Sequence, residues 1–251
     1  MTLTKDQYDT IAKYFPIQRW SVSLSNLEII NAILYVLENG CSQYGNCHTV
    51  YTRMSRWAKS GVLNAVFTQL QHRQLLAVKI DAISLDSKNI NVHPDGTGAL
   101  KNFGKQSIGQ SRGGRNTKIH FGAANDRIAV AFKLSEGQRH DAPQGRKLLE
   151  STDFSALMTE KCKIKLLADR AYEGDKTRKL ILEKGFEPVI PPKSNRKEMW
   201  EYDKEIYKRR NEVEKLFRQI KRFRKVFTRY EKTDRMYIAF VMCALMIDYL
   251  K

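Results

Sequence analysis

Acid is what this sequence is short of. Against 44 Lys and Arg stand 27 Asp and Glu in 251 residues, giving a formal charge of +17. That excess excludes an acidic chain and points to a polyanionic partner, of which nucleic acid is the common one. Cysteine is also scarce: Cys41, Cys47, Cys162 and Cys243, with no C-x2-C pair. Cys47-His48 beside Cys41 is a weak zinc hint, and free thiols are the favoured reading. The N-terminus MTLTKDQYDT has no apolar signal core. The longest apolar run, within Ile238–Leu250, is too short to span a bilayer and is interrupted by Asp248. The expectation is a cytoplasmic protein in a reducing compartment, without a membrane partner. Internal repeats and low-complexity linkers are absent, and an apolar fraction of 42% excludes wholesale disorder. The length allows one large domain or a core with a small accessory domain.

What is there falls into two regions. Residues 1–74 read as helical, with apolar positions at three- and four-residue spacing over Asp6–Phe15, Asn26–Glu38 and Thr49–Gln71. Ser25 is placed to cap the second helix and Glu28 to complete a capping box. Gly40 lies just past its end, and Gly61 is a candidate break in the third. A packed cap and a small helix-turn-helix-type DNA-binding domain remain open alternatives here. From residue 75 the pattern changes. Leu76–Leu85 reads as a strand that Ile90–Val92 extends, followed by the turn His93-Pro94-Asp95-Gly96. Residues 96–116 read as a loop. Thr117–Ala123 and Ile128–Leu134 form a predicted hairpin across Asn125-Asp126. Then come a helix (Asp141–Leu149), a strand (Ile164–Ala168), a helix (Asp175–Lys184, capped by Asp175 and stopped by Gly185), a strand (Phe186–Ile190) and a long helix from Asp203 to Phe227. This order predicts an α/β fold over residues 75–251: a ribonuclease-H-like mixed sheet flanked by helices, preceded by the N-terminal helical domain.

The long helix carries Y-x2-R-x3-E-x6-K: Tyr207, Arg210, Glu214 and Lys221. At about 100° per residue they share one narrow stripe, bordered by an apolar stripe of Val213, Leu216, Phe217, Ile220 and Phe223. A carboxylate between two cations suits a metal ion held beside a phosphate. Asp86 and Asp169 end predicted strands, where sites form in open sheets. Three gathered carboxylates repel one another unless a divalent cation joins them. Basic residues cluster as well. Lys193–Arg235 holds 16 Lys/Arg against 8 Asp/Glu, and Lys101–His120 holds five and no acid. Both stretches read as phosphate-backbone contacts, with Arg218 and Arg222 as further surface cations. His93, His120 and His140 are read as structural.

These residues resemble the DDE transposases of bacterial insertion sequences, of the insertion-sequence-five type, nearly end to end. The matching segments are DSKNINVHPDG around Asp86, IGQSRGGRNTKIH, GQRHD, LLADRAY around Asp169, IPPKSNRK and YKRRNEVEKLFRQIK. The resemblance implies Asp86, Asp169 and Glu214 as catalytic metal ligands for Mg2+ (Mn2+ as substitute), with two ions. It implies Tyr207, Arg210 and Lys221 at the DNA backbone, with Arg112 and Arg115 as further DNA contacts; a core role for Tyr207 is the alternative. The implied activity is metal-dependent cutting of element ends and transfer of 3′-hydroxyl ends to target DNA. The implied partners are double-stranded DNA, as terminal inverted repeats and target, and a second copy of the chain, in a nucleoid-associated dimer. One departure stands out. Relatives carry a longer segment where this chain reads GCSQYGNCHTVYTRMSRW, so a copy that binds DNA without cutting it is the alternative function.

Overall fold

A computed structural model describes residues 2–18, 23–40, 46–99, 103–157 and 163–250. The chain divides into two compact units. Unit one comprises residues 1–73, 92–106 and 220–251, and unit two residues 74–91 and 107–219. The first segment of unit one ends at Arg73. The C-terminal residues from Ile220 group with that segment as well.

Unit one is helical. Its elements are α1 (Lys5–Asp9), α2 (Asn26–Asn39), α3 (Cys47–Lys59), α4 (Val62–Ala77, whose last turn enters unit two), α9 (Arg224–Phe227), a short β7 (Thr228–Arg229) and α10 (Asp234–Tyr249). The expected cap of α2 forms: the Ser25 hydroxyl accepts from the Glu28 N–H at 3.2 Å, and Glu28 accepts from the Ser25 N–H at 2.7 Å. Gly40 closes the helix at φ 83°, in the left-handed region. Gly61, at φ 80°, separates α3 from α4. Helix α10 is buried on almost every side, from Met236 to Tyr249. That explains an apolar run too short for a bilayer: it is a central core helix. No helix among the described residues is long and apolar enough to cross a membrane. Cys47 is exposed and Cys243 buried, both as free thiols. The shortened segment at Cys41-Ser42-Gln43-Tyr44-Gly45 lies outside the described residues, as does Cys162, so the zinc hint has no described geometry.

Unit two is built on β1 (Ala82–Val92, its last residue in unit one), β2 (Gly109–Ser111), β3 (Gly114–Ala123), β4 (Ala129–Glu136), β5 (Lys165–Ala168) and β6 (Glu187–Val189). Around it lie α5 (Asp141–Ser151), α6 (Asp175–Glu183), α7 (Lys204–Tyr207) and α8 (Asn211–Ile220, whose last residue falls in unit one). β1 is central. It pairs antiparallel with β3 and parallel with β5. β3 pairs antiparallel with β4, and β5 parallel with β6. The observed architecture is a mixed α/β sheet with helices. The β3–β4 hairpin turns where expected, with the Asn125 carboxamide oxygen accepting from the Arg127 and Ile128 N–H groups at 2.8 and 2.9 Å.

Five expectations are corrected. Leu76 and Ala77 close α4 instead of opening a strand, and Leu76 is exposed. β1 begins at Ala82 and runs through Asp86, which is therefore mid-strand. The predicted loop at 96–116 contains a hairpin, β2 against the start of β3, turning at Arg112-Gly113. The Ser-Arg-Gly-Gly sequence is the turn signal, and Gly114 takes φ 94°. Asp175 occupies the first turn of α6 but does not cap it; Gly174 holds that position without a side-chain bond. The long helix is interrupted: a 3-10 turn at Lys208–Arg210 separates α7 from α8, and the chain leaves helical geometry at 221–223. Phe223 is extended (φ −84°, ψ 122°) and 2% exposed. Burying that ring outweighs the small gain from one more helical hydrogen bond.

Candidate active site

The register of two parallel strands sets the site. Leu85 of β1 pairs with Ala168 of β5. Asp86 and Asp169 each follow that pair by one residue, so both carboxylates leave neighbouring strands at the same level. Asp86 is 8% exposed. Burial pushes its carboxyl above the usual range; the Ser87 N–H, Lys88 and Arg210 pull it back, and the Asp169 charge pushes it further up. The Ser87 N–H donates to Asp86 Oδ1 at 2.8 Å. Beyond Asp169 a 3-10 turn begins at Arg170, and its Oδ1 accepts from the Ala171 N–H at 2.8 Å.

Glu214 is delivered by aromatic packing. Phe121, the register partner of Asp86 on β3, meets Phe217 of α8 edge-on at 5.0 Å between centroids. Phe217 and Val213 are buried, which turns the preceding helical turn, with Glu214, toward the acids. Arg210 stands against two of the three carboxylates. Its Nη2 donates to Glu214 Oε1 at 2.6 Å, and its Nη1 lies 3.8 Å from Asp86 Oδ2. The 3-10 turn that carries it rests on β1, where the Ser84 hydroxyl donates to the Arg209 carbonyl at 3.4 Å. Arg209 itself faces elsewhere, paired with Asp81 and Glu212.

Tyr207 has a split character. Its ring packs with Tyr202 and Ile206 against buried Ala82, Leu167 and Val189. Burial raises its phenol, and the charges of Arg210, Asp169 and Arg170 also act on it. It is thus packed on the core and within electrostatic reach of the acids. Lys221 is the first residue past α8 and falls in unit one. Arg112 and Arg115 are exposed at the β2–β3 turn. Arg115 lies six positions before Phe121 on β3, roughly 20 Å along the strand. Those two arginines therefore form a separate basic projection and are not gathered with the acids.

The donor set of Asp86, Asp169 and Glu214 fits a hard divalent cation, which prefers carboxylate oxygens. Among the described residues no three His, Cys, Asp or Glu side chains are gathered tightly enough to ligate one ion as they stand. Arg210 supplies the neutralising charge at Asp86 and Glu214 instead. Sequence reasoning passed over a polar group beside Asp86. The Ser87 hydroxyl donates to Asp141 Oδ1 at 2.6 Å, and Lys118 Nζ donates to the same oxygen at 2.8 Å. Burial raises the Asp141 carboxyl, but these two bonds together with neighbouring charge, chiefly that of Lys118, hold it below the usual range. GQRHD and TKIH contained the signal, though only as matching segments. His120 is fully buried, its Nε2 2.8 Å from the Ser135 hydroxyl. Burial depresses it to about 4, so it is neutral and structural.

Residues 78–248 match the family described as "Transposase DDE domain". Residues 3–67 match "Putative transposase of IS4/5 family". A Brucella ovis protein named "Putative transposase for insertion sequence element IS6501" is 27% identical over 137 residues, covering 54% of this chain and 98% of that protein. No solved structure matches. With the DDE family spanning well over half of its length, this chain belongs to the DDE transposases of insertion sequences.

Proposed function

We propose that this protein cuts the ends of an insertion sequence and joins the freed 3′-hydroxyl ends to target DNA. The observation that carries the reading is the level placement of Asp86 and Asp169 on parallel strands, with Arg210 reaching from Asp86 to Glu214. The strand order β4-β3-β1-β5-β6, antiparallel on one side of β1 and parallel on the other, supports a ribonuclease-H-like core. Asp86, Asp169 and Glu214 would hold two Mg2+ or Mn2+ ions. Such ions supply activation of the attacking oxygen and stabilisation of the leaving one. Arg210 is poised to exchange its Glu214 oxygen for a phosphate oxygen, a bidentate target that guanidinium suits. Tyr207 would pack beneath the backbone with its hydroxyl toward the phosphate. Lys221, Arg112 and Arg115 would hold DNA at a distance from the scissile bond. The helical residues 1–74 and the overall charge support recognition of terminal inverted repeats, and holding two ends together calls for a dimer.

The test is cleavage of linear DNA carrying the flanking terminal repeats, with Mg2+ or Mn2+, with EDTA, and with Glu214→Ala in parallel. End-specific, metal-dependent cleavage lost in the variant is the expected result. Binding without cleavage would replace this reading with a repurposed DNA-binding copy.

A further inference from the structure

The segment IPPKSNRK, which follows β6, has no part in the chemistry set out above. Val189 of β6 pairs with Leu167 of β5. Two residues further on, Pro191 and Asp169 leave the sheet level with each other. Pro191 stands two strands from β1, about 10 Å across the sheet. Trp200 pins the loop that follows, its Nε1 donating to the Ile190 carbonyl at 2.8 Å. Two guanidinium groups lie against its indole. Arg178 Cζ, from α6, is 3.9 Å from the ring centroid, and Arg196 Cζ, from the loop, is 4.4 Å from it. Their partners differ. Arg196 Nη1 lies 3.3 Å from Glu173 Oε2, and its Nη2 pairs with Asp175. Lys193, half exposed, stands 3.6 Å from the other Glu173 oxygen. Arg178 has no carboxylate partner among the described residues, and its Nη1 is covered without a hydrogen bond. Its lost hydration is thus not replaced within the chain. Burial lowers the Arg178 guanidinium below its usual range and the Arg196 charge adds to this, against the opposing charges of Asp175 and Glu173. A methionine or leucine at this position would cover the indole without bringing like charges together. Packing alone therefore explains a cation here poorly; an anion from outside the chain explains it well.

We propose that Arg178, seated on Trp200, holds a backbone phosphate of bound DNA on the β6 side of the scissile bond. An indole face orients a guanidinium, whose planar fork suits phosphate oxygens. Arg196 braces the same ring from the loop, and its two carboxylates keep it there. Lys193 can leave its long Glu173 contact for a second phosphate oxygen. The offset of about 10 Å from β1 puts this phosphate within about three nucleotides of the cut. That placement relative to the cut rests on the proposed function above.

The experiment measures binding of the full chain to terminal-repeat duplexes in EDTA, by fluorescence anisotropy. Single phosphates around the repeat end are replaced one at a time by neutral methylphosphonates. Wild type, Arg178→Met and Arg178→Lys are compared, and their melting is recorded without DNA. In wild type, one such replacement should weaken binding about tenfold. Arg178→Met should bind the unmodified duplex about tenfold more weakly, ignore that same replacement and keep its response to the others. Its salt slope should fall in magnitude by about one. Arg178→Lys should recover part of the affinity, and Arg178→Met should melt no lower than wild type. An Arg178→Met protein that responds to every replacement as wild type does overturns the proposal. So does one that melts well below wild type, which would make the guanidinium a packing group. Binding here needs neither metal nor cutting. A wild type that binds the repeats but leaves them uncut with Mg2+ overturns the proposed function, while the replacements still decide the phosphate contact.

Discussion

Two charged clusters in this molecule use the same residue types to different ends. In unit one Arg229 is fully buried. Its Nε donates to the Glu231 carbonyl at 3.0 Å, and its Nη2 lies 2.8 Å from Asp234 Oδ1. Glu231, also buried, accepts from Lys225 at 3.1 Å and from the Tyr51 hydroxyl at 3.3 Å. The Arg229 carbonyl accepts from the His93 N–H at 2.9 Å, and Gly96 is required beside it because a Cβ would stand 2.8 Å from that oxygen. In unit two Arg210 meets Asp86 and Glu214 with about a quarter of its side chain exposed and with one contact short and one long. A closed, buried pair locks a fold. An open, unequal one can exchange partners, which is what a phosphate and a cation require.

The largest expected effect breaks the open cluster chemically. Asp86→Ala or Asp169→Ala should lower end cleavage on the order of 10³-fold or more, with DNA binding, read by gel shift, nearly unchanged. Persistent cleavage would remove both aspartates from the site. Next comes the closed cluster: Arg229→Ala leaves Asp234 without its cation and the Glu231 carbonyl without its buried donor, and should cost about 3–5 kcal/mol. Denaturant melts check it; a loss below 1 kcal/mol would show that the pair is not the lock described.

A third prediction concerns acid. The folded pKa of His120 is near 4, below its ordinary value of 6.5. Between these values the unfolded chain binds the proton more readily, so stability is full above pH 6.5 and falls as pH drops toward 4. The loss is at most about 3 kcal/mol, and His120→Gln should flatten the slope in stability measured against pH. A slope that stays the same would deny the buried neutral imidazole. The smallest effect sharpens the contrast directly. Arg210→Gln should cost only about 1 kcal/mol without metal, because the pair is partly exposed. It should also make the rise in melting temperature on adding Mg2+ larger than in wild type. An equal rise would mean that Arg210 does not stand in for a cation.

Much of the scaffold was legible because its signals are local. Ser25 with Glu28, Gly40, Gly61, Asn125 and Gly185 each act on a few neighbouring residues and did as their types dictate. What misled was competition between local and distant terms. Leu76 and Ala77 satisfy either a strand or a last helical turn, and α4 claimed them. Phe223 fits the apolar wheel of a long helix, yet its burial is achieved by leaving that helix. Tyr172 passed as one letter of a motif because nothing in LLADRAY tells that its ring is buried against Gly145.

By itself the sequence determined most of the α/β order of elements, the basic charge and the acidic and basic residues of the proposed site, since composition and period-level patterns are properties of the chain. Only the tertiary structure decided that Asp86 and Asp169 stand level, that Phe217 on Phe121 delivers Glu214, and that Arg210 joins two of the acids. Strand register and side-chain packing bring residues together across more than eighty positions, and no local pattern encodes a distance of that kind.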